Sequence, residues 1–175
     1  MLKRKTQLRI ISGEYGGRLI DTPGTDATRP MGDRERMAIF NRLRDELPGA
    51  VVLDAFAGSG AIGIEALSLG AKSVDFMEKN PQAIRTIKNN LAKLGLTEQG
   101  KITKRPAATY DLIFADPPYD NPQYALVESL ADSLRLGGFF VLSHPANLEP
   151  PEFAPLSLLS DKKYAAACIK IFQKH

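Results

Sequence analysis

The chain has 175 residues, 43% of them hydrophobic and 25% charged, with no tryptophan, a length that buries roughly two-thirds of an unfolded chain's surface and predicts one domain over 1–175. No apolar run approaches the ~18 residues of a membrane span, and the basic opening MLKRKTQLRI has no apolar core behind it, so a cytoplasmic protein without a secretory leader is expected. Residues 1–50 carry ten lysines and arginines against seven acids, and the whole net charge of +3 resides there, an asymmetry that suits a surface meeting phosphate. Cys168 is the single cysteine; it is expected to be a small buried hydrophobe in a strand.

In chain order, Arg9 to Ile20 places two short apolar runs around a glycine-rich turn, the pattern of a hairpin. With the loop Thr22 to Pro30 it makes a basic extension over residues 1–30. The stretch from Asp33 to Leu43 predicts an amphipathic helix with Met37, Phe40 and Leu43 on one face and arginines on the other. From residue 50 strands and helices alternate: Val51–Leu53, a helix from Ala61 to Leu69 closed by Gly70, then Ser73–Met77. Asn80-Pro81 supplies a cap and a first-turn proline for a helix that carries Ile84, Ile87, Leu91 and Leu94 and stops at Gly95. A strand at 101–104, another at 110–115, a helix from about Gln123 to Arg135, and a strand at 139–142 follow. Two pieces near 156–159 and 166–172 predict a closing antiparallel hairpin. Near-continuous apolar strands alternating with helices indicate an α/β fold with a mostly parallel, doubly wound sheet.

In DAFAGSGAIG a strand ends and a helix begins. Ligands of open parallel sheets bind at such turns, where glycines admit close backbone approach and helix N–H groups point outward. Gly58, Gly60 and Gly63 spell GxGxxG, which by itself admits a dinucleotide enzyme as readily. Glu78 ends the second strand, where a carboxylate accepts ribose hydroxyls. Asp54, directly before the turn, would repel a pyrophosphate and favour an ammonium or sulfonium group. S-adenosylmethionine carries both cations and no phosphate. At the end of the fourth strand, FADPPYD adds a carboxylate at Asp116, a carbonyl at Pro117 held by the stiff Pro117-Pro118 backbone, and an aromatic face at Tyr119. Acceptors of that kind suit an exocyclic base amine, whose lone pair is delocalised and must be drawn into line. His144 is expected in a loop after the fifth strand, without a role.

Together the stretches RIISGEYGGRLIDTPG, TRPMGDRERMAIFNRL, VLDAFAGSGAIGIEAL, VDFMEKN and DLIFADPPYD resemble the Rossmann-like, S-adenosylmethionine-dependent methyltransferases with a D/N-PP-Y/F motif. More closely they resemble the bacterial 16S ribosomal RNA guanine 2-amino methyltransferases, the RsmD family. The resemblance implies a Rossmann-like methyltransferase fold and methyl transfer to a guanine of small-subunit ribosomal RNA, free or in an assembling subunit, by a monomer without a metal. It implies that Asp116, Pro117, Pro118 and Tyr119 hold the base and that Asp54, Phe56, Gly58, Ser59 and Gly60 cradle the cofactor. Glu78 would hold the ribose, and Thr28 and Pro30 the methionine end. Arg4, Arg9, Arg18 and Arg29 would contact RNA. The segment 101–110 departs from the family pattern, being short and lacking the acid that holds the adenine amine; backbone groups replace the acid, or cofactor affinity is low. Two other readings stay open: a DNA adenine or cytosine amino methyltransferase, and a non-catalytic RNA-binding module on the same scaffold.

Overall fold

The computed structural model describes residues 7–24 and 31–175; the expected contacts of Arg4, Thr28, Arg29 and Pro30 lie outside them. An antiparallel hairpin of β1 (Gln7–Arg9) and β2 (Leu19–Asp21) precedes α1 (Asp33–Arg42). Then come β3 (Val51–Ala55), α2 (Ala61–Ser68), β4 (Ser73–Met77), α3 (Pro81–Leu94) and β5 (Gly100–Thr103). The chain continues with β6 (Tyr110–Ala115), α4 (Tyr124–Leu130), β7 (Leu134–Pro145), β8 (Leu156–Lys163) and β9 (Ala167–Lys174). Among the described residues, seven strands form one sheet in the order β5-β4-β3-β6-β7-β9-β8. Strands β3 to β7 are parallel, β9 is antiparallel to β7, and β8 is antiparallel to β9. The chain leaves β3 for β4 and β5 on one side and returns to β6 and β7 on the other. A crevice at the carboxyl ends of β3 and β6 is the consequence of that reversal.

Both faces of the sheet are apolar, as parallel strands require. Helices α1, α2 and α3 cover one face through Ile39, Phe40, Ile64, Ile87 and Leu91, packed on Val52, Phe76, Leu112 and Phe114. The other face is thinner: α4 contributes Val127 and Leu130, and Phe153 joins Phe140 and Phe172. No helix connects β5 to β6. Residues 104–109 make this crossover alone, where a dozen or more residues are usual. The buried Tyr110 anchors it, its hydroxyl donating to Asp75 Oδ2 at 2.7 Å and accepting from Ala107 N at 3.0 Å.

Caps place the helices where the sequence predicts. Asn80 Oδ1 accepts from the Gln82 and Ala83 amides at 2.8 and 3.1 Å, Pro81 opens α3, and Gly95 closes it at φ 72°. Three expectations change. The inward face of α1 is Arg36, Ile39 and Phe40, with Leu43 beyond, and Met37 is 46% exposed. Arg36 goes inside because its Nη2 donates to the Arg9 carbonyl at 3.0 Å and to Asp33 Oδ1 at 2.8 Å, so its stem packs while its charge is partnered. Helix α4 is shorter than expected, giving way at Ala131 to a 3₁₀ turn. Strand β7 starts five residues early, because Arg135 pairs with Asp111 at 2.6 Å and Gly137, at φ 76°, absorbs a register shift against β6.

Candidate functional site

Strand register aligns the residues that leave the sheet. Ala55 pairs with Met77 on one side and Ala115 on the other, and Ala115 pairs with Leu142. The next residue on each strand is Phe56, Glu78, Asp116 or Ser143. Four side chains therefore form one row along the carboxyl edge, across the crevice.

Phe56 turns the chain out of β3 at φ 63°, a left-handed conformation that costs a bulky residue on the order of 1–3 kcal/mol. Gly58 and Gly60 follow at φ 56° and 78° and deliver the N-terminus of α2. Two acids hold this loop. Asp54, 2% exposed, accepts from Gly63 N at 2.9 Å and so satisfies an amide of the first turn of α2. Burial raises its pKa well above the ordinary carboxylate value, the Gly63 bond opposes that, and the charges of Asp116 and Glu78 add to it. Glu78 accepts from Gly58 N at 2.8 Å through Oε2, and from Lys79 N and Asn80 N at 2.7 and 2.9 Å through Oε1. A carboxylate oxygen has two lone pairs, so Oε2 keeps one for a hydroxyl. Ser59 is 6% exposed, and its carbonyl accepts from Asn90 Nδ2 at 3.1 Å.

Beyond β6 the proline turn presents its own acceptors. Asp116 keeps some exposure, yet its carboxyl group is enclosed: burial pushes the pKa up to about 6, and a hydrogen bond from Ser143 holds it partly down. The Tyr119 hydroxyl lies 2.8 Å from Ser143 Oγ. An ionised carboxylate only accepts. Ser143 thus stands between the carboxylate and the phenol, and either hydroxyl can donate in the pair with Tyr119. This fixes the Tyr119 ring, which remains 39% exposed. The Pro118 carbonyl accepts from Asn121 N at 3.1 Å and closes the turn, whereas the Pro117 carbonyl accepts from none of the described residues. A directed, unsatisfied acceptor stands beside the carboxylate as a result.

These residues fit S-adenosylmethionine. The charges of Glu78 and Asp116 are close enough to Asp54 to oppose its ionisation; a cation among them relieves that repulsion, and a phosphate would add to it. Ser143, Asn90 and Glu65 are the residues that sequence reasoning missed. Ser143 has a weak signal at most, its position just past the apolar end of β7.

Elsewhere the structure separates what the sequence grouped. Arg9 Nη1 donates to the Gly17 carbonyl at 3.0 Å, and the Arg18 guanidinium stacks 5.3 Å from the Tyr15 ring centre. Their hairpin turn packs on Ser68, with Glu14 N on its carbonyl at 2.8 Å and Tyr15 N on its hydroxyl at 2.9 Å. Ser68 ends the helix that the glycine loop begins, about 12 Å away at 1.5 Å per residue. The hairpin turn therefore sits away from the proline turn. His144 lies inside β7, 1% exposed, with Nδ1 2.9 Å from the Pro145 carbonyl; alternation along the strand sends it to the face opposite Ser143. Among the described residues no His, Cys, Asp and Glu group could hold a metal ion, and no helix is long and apolar enough to cross a membrane.

Known proteins share this fold. The family described as Conserved hypothetical protein 95 matches residues 8–173. Ribosomal RNA small subunit methyltransferase D of Escherichia coli is 29% identical over 182 residues, covering 96% of this chain and 90% of that protein. The solved structure of yhhF from Escherichia coli has a TM-score of 0.86 at 28% identity, covering 97% of this chain and 98% of that one. The Thermus thermophilus 16S rRNA N2 G1207 methyltransferase (RsmC), in complex with AdoMet and guanosine, has a TM-score of 0.76 at 22% identity over 97% of this chain and 50% of that one. Since the family match runs from Leu8 to Gln173, taking in the sheet, the glycine loop and the proline turn together, the chain belongs to that family, the S-adenosylmethionine-dependent methyltransferases of the RsmD type.

Proposed function

We propose that this protein methylates the exocyclic 2-amino group of a guanine in small-subunit ribosomal RNA. The observation that carries the reading is the pair of acceptors at Asp116 and Pro117, braced through Ser143 and set beside the carboxylate-lined glycine loop. When bound, S-adenosylmethionine supplies an electrophilic methyl group. The protein supplies alignment. Asp116 and the Pro117 carbonyl accept the two amine hydrogens and draw the nitrogen lone pair out of conjugation, while Tyr119 stacks on the base, worth about 1 to 3 kcal/mol. Asp116, with a pKa near 6, is ionised at neutral pH and is the nearest base for the proton that the methylated amine gives up. Glu78 holds the ribose through the free lone pair of Oε2. Asp54 acts through the loop it caps.

The RNA part of the reading is supported by the relatives named ribosomal RNA small subunit methyltransferase D. A complex with AdoMet and guanosine on this fold supports the nucleoside. The test is transfer of labelled methyl to small-subunit ribosomal RNA, naked or in partly assembled subunits, followed by nucleoside analysis. Label in N2-methylguanosine is expected. Label confined to adenines, or transfer to DNA and not to RNA, would refute the substrate assignment.

A further inference from the structure

An open groove of about 740 Å³ lies between α1 and the turn joining β8 to β9. Arg34 lines it from α1, and Lys162, Lys163 and Tyr164 line it from the hairpin. It adjoins a narrower pocket to which Arg42, Lys162 and Tyr164 contribute. Four cations face one acid, Glu35. All four are exposed, and none of them is ion-paired with a described residue. The nearest acid on β8, Asp161, is occupied by Lys170 at 2.7 Å and by the Cys168 thiol. Between the cations stand two flat or apolar surfaces, the half-buried Tyr164 and the outward-turned Met37. Cations spaced along a groove with an aromatic face between them are the features that hold a single strand of nucleic acid, the charges tracking phosphates and the rings stacking bases.

The groove also leads to the reaction site. Ser143, whose Oγ lies 2.8 Å from the Tyr119 hydroxyl, pairs across the sheet with Ile169, and Ile169 pairs with Lys162; both Ile169 and Lys162 line the narrower pocket. We infer that this groove carries the RNA strand flanking the target base, so that the nucleotides next to the methylated guanine run between α1 and the β8–β9 turn. The inference rests on the RNA reading of the site. It moves the main phosphate contact from the hairpin arginines, one bonded to the hairpin's own backbone and the other stacked on Tyr15, to cations without an ion-pair partner among the described residues.

The test is fluorescence anisotropy of a labelled single-stranded RNA oligonucleotide with the full chain, titrated at several salt concentrations. Three double alanine variants are compared: Lys162→Ala with Lys163→Ala, Arg34→Ala with Arg42→Ala, and Arg9→Ala with Arg18→Ala. Each groove pair is expected to weaken binding several-fold and to flatten the slope of log K against log salt by about 1.4, two contacts at ~0.7 each for a single strand. Calorimetric S-adenosylmethionine affinity should stay unchanged, which shows that the fold is intact. Lys162→Arg with Lys163→Arg should retain the wild-type slope. Groove variants with wild-type affinity and slope overturn the inference, most plainly if the Arg9 and Arg18 pair loses both. Failure of the wild-type chain to bind RNA overturns the proposed substrate instead, and the two failures are distinct.

Discussion

The hydroxyl of Ser143 has one proton and two lone pairs and stands between Asp116, whose pKa it lowers, and the Tyr119 hydroxyl at 2.8 Å. Its bond lowers a carboxyl pKa that burial has pushed up to about 6. Turnover that needs the Asp116 carboxylate rises with pH through that value. In Ser143→Ala the opposing hydrogen bond is gone, so the pKa climbs further and the acid limb of the kcat profile moves to higher pH. The loss is then large near pH 6 and small near pH 8; a limb that stays in place would remove Ser143 from the assigned role. Asp116→Asn keeps the size of the side chain but not its charge. A fall in kcat of roughly a hundredfold or more is expected, with calorimetric cofactor affinity changed by no more than a few-fold. Asp116 and Tyr119 were legible because prolines seldom follow an apolar strand. Ser143 was not, since a lone serine has no period, and only the pairing of Ala115 with Leu142 brings it beside Asp116.

At the scale of single elements, glycine spacing has a mechanical meaning that the structure makes explicit. A Cβ on Gly63 would lie 2.3 Å from Phe76 Cε1 and 2.8 Å from Val74 Cγ1, so α2 sits on β4 at a separation only glycine permits. Gly63→Ala should lower stability by about 1–3 kcal/mol through overpacking, despite alanine's better helix propensity. Thermal denaturation decides between these opposed effects: a raised Tm would mean that Phe76 moves aside freely. Helix α3 was readable end to end because its signals are local, a capping Asn80, Pro81 and Gly95. The rotation of α1 was not. Its arginines look alike in sequence, and Arg36 is drawn inward by the Arg9 carbonyl, which a distant hairpin provides.

Taken as a whole, the molecule is a sheet whose order of strands follows from alternating runs in the sequence, with a hairpin joined to it through the buried Leu8, Ile10 and Ile20 and through polar groups that no pattern announces. Glu65, 0% exposed, accepts both the Ile11 amide and the Ser12 amide, and Asn90, also 0% exposed, accepts from Asp21 N at 2.9 Å and donates to the Asp21 carbonyl at 3.0 Å. The same Asn90 amide donates to the Ser59 carbonyl at 3.1 Å. One side chain thus connects the hairpin, α3 and the glycine loop. Helical periodicity puts Asn90 on the flank of the apolar stripe, between Ile87 and Leu94, and Asn89 on the far side, but only the returning β2 strand supplies the partners that let an amide stand there. Asn90→Ala takes a partner from three backbone groups, the buried Ser59 carbonyl and the N–H and carbonyl of the half-buried Asp21, and a loss of about 2 kcal/mol is expected, or roughly 4–8 °C in Tm for a chain of this size. Because Ser59 is released with the hairpin, S-adenosylmethionine affinity should fall in the same variant. Asn80→Ala is the control: it removes a helix cap worth ~1 kcal/mol without touching the hairpin. If Asn90→Ala lowers Tm no more than Asn80→Ala does, or leaves cofactor affinity untouched, the hairpin is an appendage, and the glycine loop is held by its own turn and the two acids alone.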